Sequence, residues 1–196
     1  DNDSLSFGGA LLTSSVIGGT GNDSLVFSAS VEAGYVSLDA GSDLATFAGT
    51  FSNSTVRSGS DDDTLVFSAN AIGSTIDAGD GNDSLAFSGQ VSASAISIGT
   101  GNDRLVFSTV VGGSTSIIGA AGTSQTIQFS AAADAVSFDG AFAAGSILGG
   151  SGSDSLVFLT NASVAATTKL ALEAGDDSLT FNGNTLSGQF GGGDGN

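Results

Sequence analysis

Residues 91–107 read VSASAISIGTGNDRLVF, and this stretch contains one complete unit of a repeat. Leu105 and Phe107 alternate with other residues, which is the period of a strand with one buried face. The turn Gly99-Thr-Gly101-Asn-Asp103 precedes this strand, and its alternating glycines allow the positive φ angles of a tight turn. Ile96 marks a second strand before the turn, because β-branched residues favour strands. The unit therefore predicts two short strands joined by a glycine turn.

The unit recurs with a period of 20 residues. Six phenylalanines follow this period without error, and three more continue it with stretched spacings: Phe7, Phe27, Phe47, Phe67, Phe87, Phe107, Phe129, Phe158 and Phe181. An aspartate stands four residues before each of them, except that Gln125 precedes Phe129. A second apolar column comprises Val16, Val36, Val56, Ile76, Ile96, Ile118, Ile147 and Leu170. A fixed period of this length predicts a stack of repeats that share one core.

The predicted fold class is all-β. We expect a parallel β-solenoid or β-roll of about nine coils, with two short strands per coil and no helices, in a single array over residues 1–196. The extra length between Phe129 and Phe158 predicts an irregular long coil near residues 130–150, with the insertion around Ala131 to Ala144 in the loop opposite the glycine turn. Neither terminus resembles a cap, so we expect a segment of a longer repeat protein, or pairing with flanking repeats or copies of itself.

Composition narrows the function. The formal net charge is −17, and only Arg57, Arg104 and Lys169 are positive, which excludes a nucleic-acid binder that contacts phosphates. The chain has no Cys and no His, so the ligand sets of zinc, copper and haem are missing. The remaining oxygen ligands suit calcium. No apolar run is long enough for a transmembrane segment. No catalytic constellation stands out, so we do not expect an enzyme.

The glycine turns resemble the calcium-binding nonapeptide of the RTX family, G-G-x-G-x-D-x-L-x. The best copies are Gly18-Gly19-Thr-Gly21-Asn-Asp23-Ser-Leu25-Val and Gly149-Gly150-Ser-Gly152-Ser-Asp154-Ser-Leu156-Val. The resemblance implies a right-handed β-roll in which the Asp carboxylate and the turn carbonyls of neighbouring coils share Ca²⁺. The aspartates implied as ligands are Asp23, Asp43, Asp63, Asp83, Asp103, Asp154 and Asp177. The backbone ligands implied are those of Gly19, Gly21, Gly59, Gly79, Gly81, Gly99, Gly101, Gly150, Gly152 and Gly175.

The sequence also departs from the RTX pattern. Only one edge of each coil carries a glycine turn, so we expect several Ca²⁺ ions in one row along the glycine-turn edge. The turn Ala121-Gly-Thr-Ser-Gln125 lacks its acid and should interrupt that row. Asp39 and Glu173 replace the first turn glycine and should alter their sites. A single aspartate of this kind is readily explained as an Asx turn without metal, but a row of stacked like charges favours a cation.

Three functions fit these features. The first is a calcium-stabilised structural rod of a secreted bacterial surface-layer, fibre or matrix protein that can assemble through its ends, because extracellular calcium is millimolar. The second is a binding module, either an adhesin or an ice binder. Some RTX-like ice binders display Thr-Gly-Asn in every turn, whereas here only Thr20-Gly-Asn22 and Thr100-Gly-Asn102 match. The third is the export and folding tail of a secreted enzyme. All three place the protein outside the bacterial cell or on its surface.

Overall fold

The computed structural model describes residues 1–112, 114–119, 124–142, 145–182 and 187–194. They form an all-β parallel solenoid of about nine turns, and none of the described residues lies in a helix. Each coil stacks on the next in register, so that Leu65 pairs with Leu85 and Phe67 with Phe87. The prediction of an all-β parallel solenoid is therefore confirmed.

Two sheets run the length of the solenoid. Sheet A consists of Ser4–Phe7, Ser24–Phe27, Leu44–Phe47, Thr64–Phe67, Ser84–Phe87, Arg104–Phe107, Gln125–Gln128, Gly145–Leu148, Thr168–Ala171 and Gln189–Gly191. Sheet C consists of Ser15–Thr20, Tyr35–Ala40, Thr55–Ser60, Thr75–Asp77, Ala95–Ser97, Thr115–Gly119, Ala135–Phe142, Ser155–Phe158 and Ser178–Phe181. Inward-facing apolar residues of both sheets meet in one continuous core.

The prediction of two strands per coil is wrong, because a third sheet closes one corner. Sheet B consists of Leu11–Leu12, Val31–Glu32, Phe51–Ser52, Ala71–Ile72, Val91–Ser92 and Val111–Gly112. Its strands have two residues each, which is too short for an alternating pattern to reveal them. The first residue of each strand faces the core and lies four residues after a phenylalanine. These residues form a further apolar column in the sequence, and sheet B could have been predicted from that column.

Stacked phenylalanine rings form the centre of the core. From Phe7 to Phe129, successive rings of the sheet A column lie nearly parallel, with centroids 4.6–5.3 Å apart. Phe51 of sheet B meets the rings of Phe47 and Phe67 at steep angles. This part of the predicted phenylalanine column is confirmed.

The phenylalanine column changes sheets after Phe129. Phe138, on sheet C, meets Phe129 edge-on with centroids 6.1 Å apart. Phe158 stacks on Phe138 at 4.7 Å, and Phe181 stacks on Phe158 at 4.9 Å, both within sheet C. The prediction that Phe158 and Phe181 continue the first column is therefore wrong. Phe138 stands nine residues after Phe129, and this step is half a coil rather than an enlarged loop. Residues 143–144 of the predicted insertion lie outside the described residues.

The prediction of the second apolar column is also partly wrong, because its later members lie in the other sheet or face solvent. Val16 to Ile96 stack in sheet C as predicted, but Ile96 pairs with Ile117, and Ile118 is exposed. Ile147 and Leu170 lie in sheet A, where Ile147 pairs with Ile127. After residues 129–138, the strands that carry phenylalanine lie in sheet C instead of sheet A, and the strands that carry the second apolar column lie in sheet A instead of sheet C. We call residues 129–138 the edge switch.

The edge switch also moves the glycine turns. Before it, they lead from sheet C to sheet A along what we call the first edge, and sheet B closes the second edge. After it, the turns at 149–154 and 172–177 lead from sheet A to sheet C along the second edge. The short pair Ala141–Phe142 and Ser163–Val164 then closes the first edge. Both halves therefore share one core, but their glycine turns lie on opposite edges of the solenoid.

Candidate metal centre

The glycines of the turns are required by backbone conformation and by close stacking. All ten glycines of the predicted set have positive φ: Gly19, Gly21, Gly59, Gly79, Gly81, Gly99, Gly101, Gly150, Gly152 and Gly175. A Cβ on Gly59 or Gly101 would also collide with a carbonyl oxygen of the coil below. The first turn position is occupied instead by Asp39 and Glu173 in two coils, and these residues adopt the same positive φ, 74° and 68°.

The turn carbonyls already belong to the ladder of backbone hydrogen bonds. The carbonyl of Gly59 accepts from the Asp80 N–H, and that of Gly79 accepts from the Thr100 N–H, both at 2.9 Å. A carbonyl oxygen has a second lone pair, so these groups can still contribute to a cation site. The glycine edge therefore has constant length for a structural reason that applies with or without a metal.

The aspartates of the turns form a second ladder, which we call the inner ladder. In each step, the backbone N–H of one aspartate donates to Oδ1 of the equivalent aspartate in the next coil. Asp43 donates to Asp63, and Asp63 donates to Asp83, both at 2.8 Å. The first-edge ladder joins Asp3, Asp23, Asp43, Asp63, Asp83 and Asp103. One oxygen of each carboxylate thus links two coils.

The seven predicted ligands do not form one row. Asp23, Asp43, Asp63, Asp83 and Asp103 lie on the first edge, whereas Asp154 and Asp177 lie on the second edge. The prediction of a single row of Ca²⁺ sites is therefore wrong, because the edge switch carries the later turns to the other side. Of the turn that lacks its acid, residues 121–123 lie outside the described residues, and Gln125 is buried above Asp103.

Sequence reasoning missed Asp134, which begins the second row. Its Oδ1 accepts the N–H of Val111, the first residue of the last sheet B strand, at 2.5 Å. Its Oδ2 accepts the Ser130 hydroxyl at 3.3 Å, and its own N–H donates to Asp154 Oδ1 at 2.9 Å. The signal was present, because Asp134 stands four residues before Phe138 and twenty before Asp154. Asp134 joins sheet B to the second inner ladder.

The ladder carboxylates from Asp23 to Asp103, and that of Asp154, are buried and half-satisfied. Asp23, Asp63 and Asp83 are each 2% exposed. Their Oδ2 atoms have no hydrogen-bond partner, and the same holds for Oδ2 of Asp43, Asp103, Asp154 and Asp177. A buried, unpaired carboxylate oxygen is costly unless a proton or a cation compensates it. Asp134 differs, since protein groups satisfy both of its oxygens.

The pKa values reflect this environment. Burial raises the pKa of Asp63 and Asp83 to about 7, against the opposing effect of a backbone N–H, and neighbouring acids raise it further. Burial raises the pKa of Asp154 to about 6. It also raises the pKa of Asp43 and Asp103, and for Asp103 the Asp83 N–H and the Gln125 side chain oppose the rise. The ladder therefore binds a proton or a positive ion more readily than an exposed aspartate does.

The donor chemistry fits calcium. The described residues contain no group of three or more His, Cys, Asp or Glu side chains that could hold a metal. Each turn contributes one carboxylate to the inner ladder, so backbone oxygens would supply further ligands of an ion there. An irregular shell of carboxylate and carbonyl oxygens is what Ca²⁺ accepts best. The unpaired Oδ2 atoms are the observation that makes a cation site plausible.

An outer ladder runs along the exposed side of the same turns. The Asn22 N–H donates to Asn2 Oδ1, the Asn82 N–H donates to Asp62 Oδ1, and the Asn102 N–H donates to Asn82 Oδ1. These bonds point down the stack, whereas those of the inner ladder point up it. Every such turn is therefore held to both of its neighbours by side chains.

A structural comparison supports the fold. The chain resembles the X-ray structure of a hyperactive, Ca²⁺-dependent, β-helical antifreeze protein from an Antarctic bacterium, with a TM-score of 0.51 and 24% sequence identity. The match covers 98% of this chain and 62% of that protein. At this identity the likeness shows a shared β-solenoid fold. No protein-family model and no curated protein sequence matches the chain. Its described part contains no helix of the length and hydrophobicity that crossing a bilayer requires.

Proposed function

We propose that this chain is a calcium-stabilised structural rod in a secreted bacterial surface-layer, fibre or matrix protein. The observation that carries the proposal is the set of buried Asp Oδ2 atoms without a partner. When bound, Ca²⁺ supplies positive charge to carboxylates that the chain cannot neutralise with its three basic residues. The aspartates hold the coils in register through Oδ1 and leave Oδ2 for the ion.

The electrostatics of the stack support this role. Successive coils lie about 4.8 Å apart, so the carboxylates of a ladder are close neighbours in a partly dry environment. Asp83 raises the pKa of Asp63, and Asp103 raises that of Asp83, through like-charge repulsion. Weak oxygen sites of this kind fill at millimolar calcium, the extracellular level. A rod of this type would fold fully only after export.

The shape supports a structural role. Ten strands of sheet A at about 4.8 Å spacing make a rod about 45 Å long with one continuous core. Each coil contacts only its neighbours, so length can grow by adding coils. Self-association of the rod and its place outside the cell are parts of the proposal that rest on composition and chemistry.

Ice binding is a second candidate, favoured by the description of the similar structure as an antifreeze protein. A flat, repeated array of Thr and Asn would be needed along the outer side of the turns. The outer positions instead change from Thr20 through Ala40, Ser60 and Asp80 to Thr100. Asn22 and Asn82 also use Oδ1 in the outer ladder. Thermal hysteresis in calcium buffer tests this candidate, and we expect none.

The proposed role is tested by titrating Ca²⁺ into EDTA-treated protein. We expect the β-sheet circular dichroism signal and the urea midpoint of unfolding to rise cooperatively near millimolar Ca²⁺. Mg²⁺ at the same concentration should have a much smaller effect, because it demands octahedral geometry and keeps its waters. Light scattering in the same titration reports assembly. Equal stability in EDTA and in Ca²⁺ would contradict the proposal.

A matched pair of double variants separates site chemistry from total charge. Asp23→Asn/Asp154→Asn removes two buried carboxylates whose Oδ2 atoms have no partner, and it should weaken the calcium response. Asp61→Asn/Asp62→Asn removes two exposed charges from one turn and should retain it. Asn suits this control because Asp61 has a positive φ of 81°, which Asn tolerates. A loss of response in both variants would indicate a general charge effect.

A further inference from the structure

Charge is distributed unevenly between the two flat faces of the solenoid. The ten described strands of sheet A contain no aspartate or glutamate, although the formal net charge of the chain is −17. They contain two of the three basic residues, Arg104 and Lys169, and both are exposed. The third, Arg57, lies on sheet C with its Nε 3.9 Å from Asp77 Oδ2. The outer face of sheet A, which we call face A, is therefore neutral to basic in an otherwise acidic molecule.

The outward column of face A that borders the first edge has a regular pattern. Leu44, Arg104 and Lys169 belong to this column, all three are exposed, and each stands three strands after the one before. At about 4.8 Å per strand, the interval is about 14 Å. Only small hydroxyl residues separate the three long side chains, namely Thr64, Ser84, Thr126 and Ser146.

The outer face of sheet C, which we call face C, has a matching column beside the same edge. Ile17, Asp77 and Asp139 also follow one another at intervals of three strands. Ile17 is 62% exposed, and the two aspartates are half-buried. Oδ1 of Asp139 accepts the N–H of Gly140, next to it in the same strand. Both faces therefore carry an apolar residue and two charged residues in the same order and at the same spacing, with charges of opposite sign.

The two columns meet when copies of the rod are stacked in the same orientation. Face A of one copy on face C of the next brings both first edges to the same side, so the two columns lie opposite each other. Arg104 is on the sixth strand of sheet A and Asp77 is on the fourth strand of sheet C, so a shift of about two coils aligns them. This one shift gives three matched pairs: Arg104 with Asp77, Lys169 with Asp139, and Leu44 with Ile17.

The rest of the contact opposes this stacking little. The remaining charge of the face C column, Arg57, comes to lie opposite Ser84, so no like charges meet. Each rod is two sheets thick, so the acidic first edges of stacked copies lie about 20 Å apart, beyond the Debye length of about 8 Å. Beside the charged column, face A presents half-buried and mostly small residues that permit close sheet-on-sheet packing, namely Val26, Thr46, Val66, Ala86 and Val106.

We infer that this protein binds copies of itself laterally, with face A of one rod on face C of the next and all rods in the same orientation. Such a contact is heterologous and does not close, so repeated addition builds a row of parallel rods. The inference rests on the proposed function, for which it supplies the partner and the contact surface. About eight overlapping strands bury on the order of 1,000 Å² in total, which is small for a specific interface, so each single contact is weak.

Charge reversal tests the pairing. Sedimentation velocity in saturating Ca²⁺ should show association that rises with protein concentration and falls with salt, because the matched charges are accessible to solvent. Lys169→Glu should lower the association constant roughly fivefold or more. Lys169→Glu/Asp139→Lys has the wild-type net charge and should restore association. Lys169→Glu/Glu32→Lys has the same net charge but places the new lysine on sheet B, outside both faces, and should not restore it.

Cysteine cross-linking locates the contact. The chain has no cysteine, and Ile17 and Leu44 lie on opposite faces of the rod, so a disulfide between these positions can form only between copies. Oxidised Ile17→Cys/Leu44→Cys in Ca²⁺ should give a ladder of dimers, trimers and longer oligomers, because every copy offers one position on each face. Neither single variant should give the ladder. Circular dichroism of each variant confirms that it is folded.

Three results would overturn the inference. The first is a protein that stays monomeric at every concentration in saturating Ca²⁺. The second is efficient dimer formation by either single cysteine variant, because a face would then pair with its own kind. The third is restoration of association by Glu32→Lys as fully as by Asp139→Lys, which would indicate a general charge effect. Calcium-dependent folding could persist in all three cases, whereas equal stability in EDTA would contradict the proposed function and leave the cross-linked ladder intact.

Discussion

The stacking of Phe138 on Phe158 gives a quantitative test of the edge switch. Both rings are fully buried, and their centroids lie 4.7 Å apart with planes 13° from parallel. Replacing either one with leucine should cost on the order of 1–2 kcal/mol, because the smaller side chain leaves a partly filled space. The double variant should cost less than the sum of the single variants, since a stacked aromatic pair contributes about 0.5–1.5 kcal/mol beyond its buried area.

The assay is a double-mutant cycle by urea unfolding, followed by circular dichroism in saturating Ca²⁺. The stacked pair Phe27 and Phe47, at 4.9 Å, is the positive reference, and Phe27 with Phe158 is the distant pair that should be additive within about 0.5 kcal/mol. Coupling between Phe138 and Phe158 equal to that of Phe27 and Phe47 supports the edge switch. A negligible cost for Phe138→Leu, together with no coupling, would place Phe138 in a loop and refute it.

Three further predictions concern the turns and the ladder. In EDTA the urea midpoint should fall as the pH rises from 5 to 8, because folded Asp63 and Asp83 hold their protons up to a pKa of about 7 while unfolded aspartate releases them near 3.8. The loss of stability at each of these two residues should be on the order of 1 kcal/mol after allowance for solvent screening. A midpoint that stays constant or rises with pH would contradict this prediction. Glu173→Gly should raise the midpoint of thermal unfolding, with a gain of up to about 1 kcal/mol, because it relieves a positive φ of 68° at a non-glycine residue; a lower midpoint would show that the Glu173 side chain has a role of its own. Gly101→Ala should destabilise by more than about 2 kcal/mol in urea, because the methyl group meets the Gly81 carbonyl at a φ of 131°; wild-type stability would mean that the coils stack less closely at this turn.

Regular spacing made the first half of the fold predictable. The 20-residue period of Phe27 to Phe107 predicted both the stacking and the strand that bears it, since large residues at a fixed period must share one core. Sheet B could not be seen through alternation, because two residues contain no period. It was visible only as a column, for example Val31 and Val91, four residues after a phenylalanine.

The edge switch was not predicted, because the spacing of Phe158 was measured from Phe129 rather than from Phe138. Measured from Phe129, Phe158 stands nine residues too late, whereas measured from Phe138 it stands one period on. Asp134 supplied the second clue, at the same offset from Phe138 as Asp154 from Phe158.

The half coil at residues 129–138 indicates which insertions and deletions this fold can tolerate. Sheets A and C line one core and alternate with the same period, so half a coil of extra chain returns every large side chain to the inside. A one-residue insertion within a strand would turn its apolar residues towards water. The connections between strands absorb small additions, because Phe129 still stacks on Phe107 and Phe181 on Phe158 although both spacings exceed one period. We therefore expect large insertions and deletions among natural variants of this array to come in steps of about ten or twenty residues, and changes of a few residues to lie between the strands. Each ten-residue step would exchange the edges that the turns occupy, so gene slippage alone could redistribute charge around the rod without a single substitution.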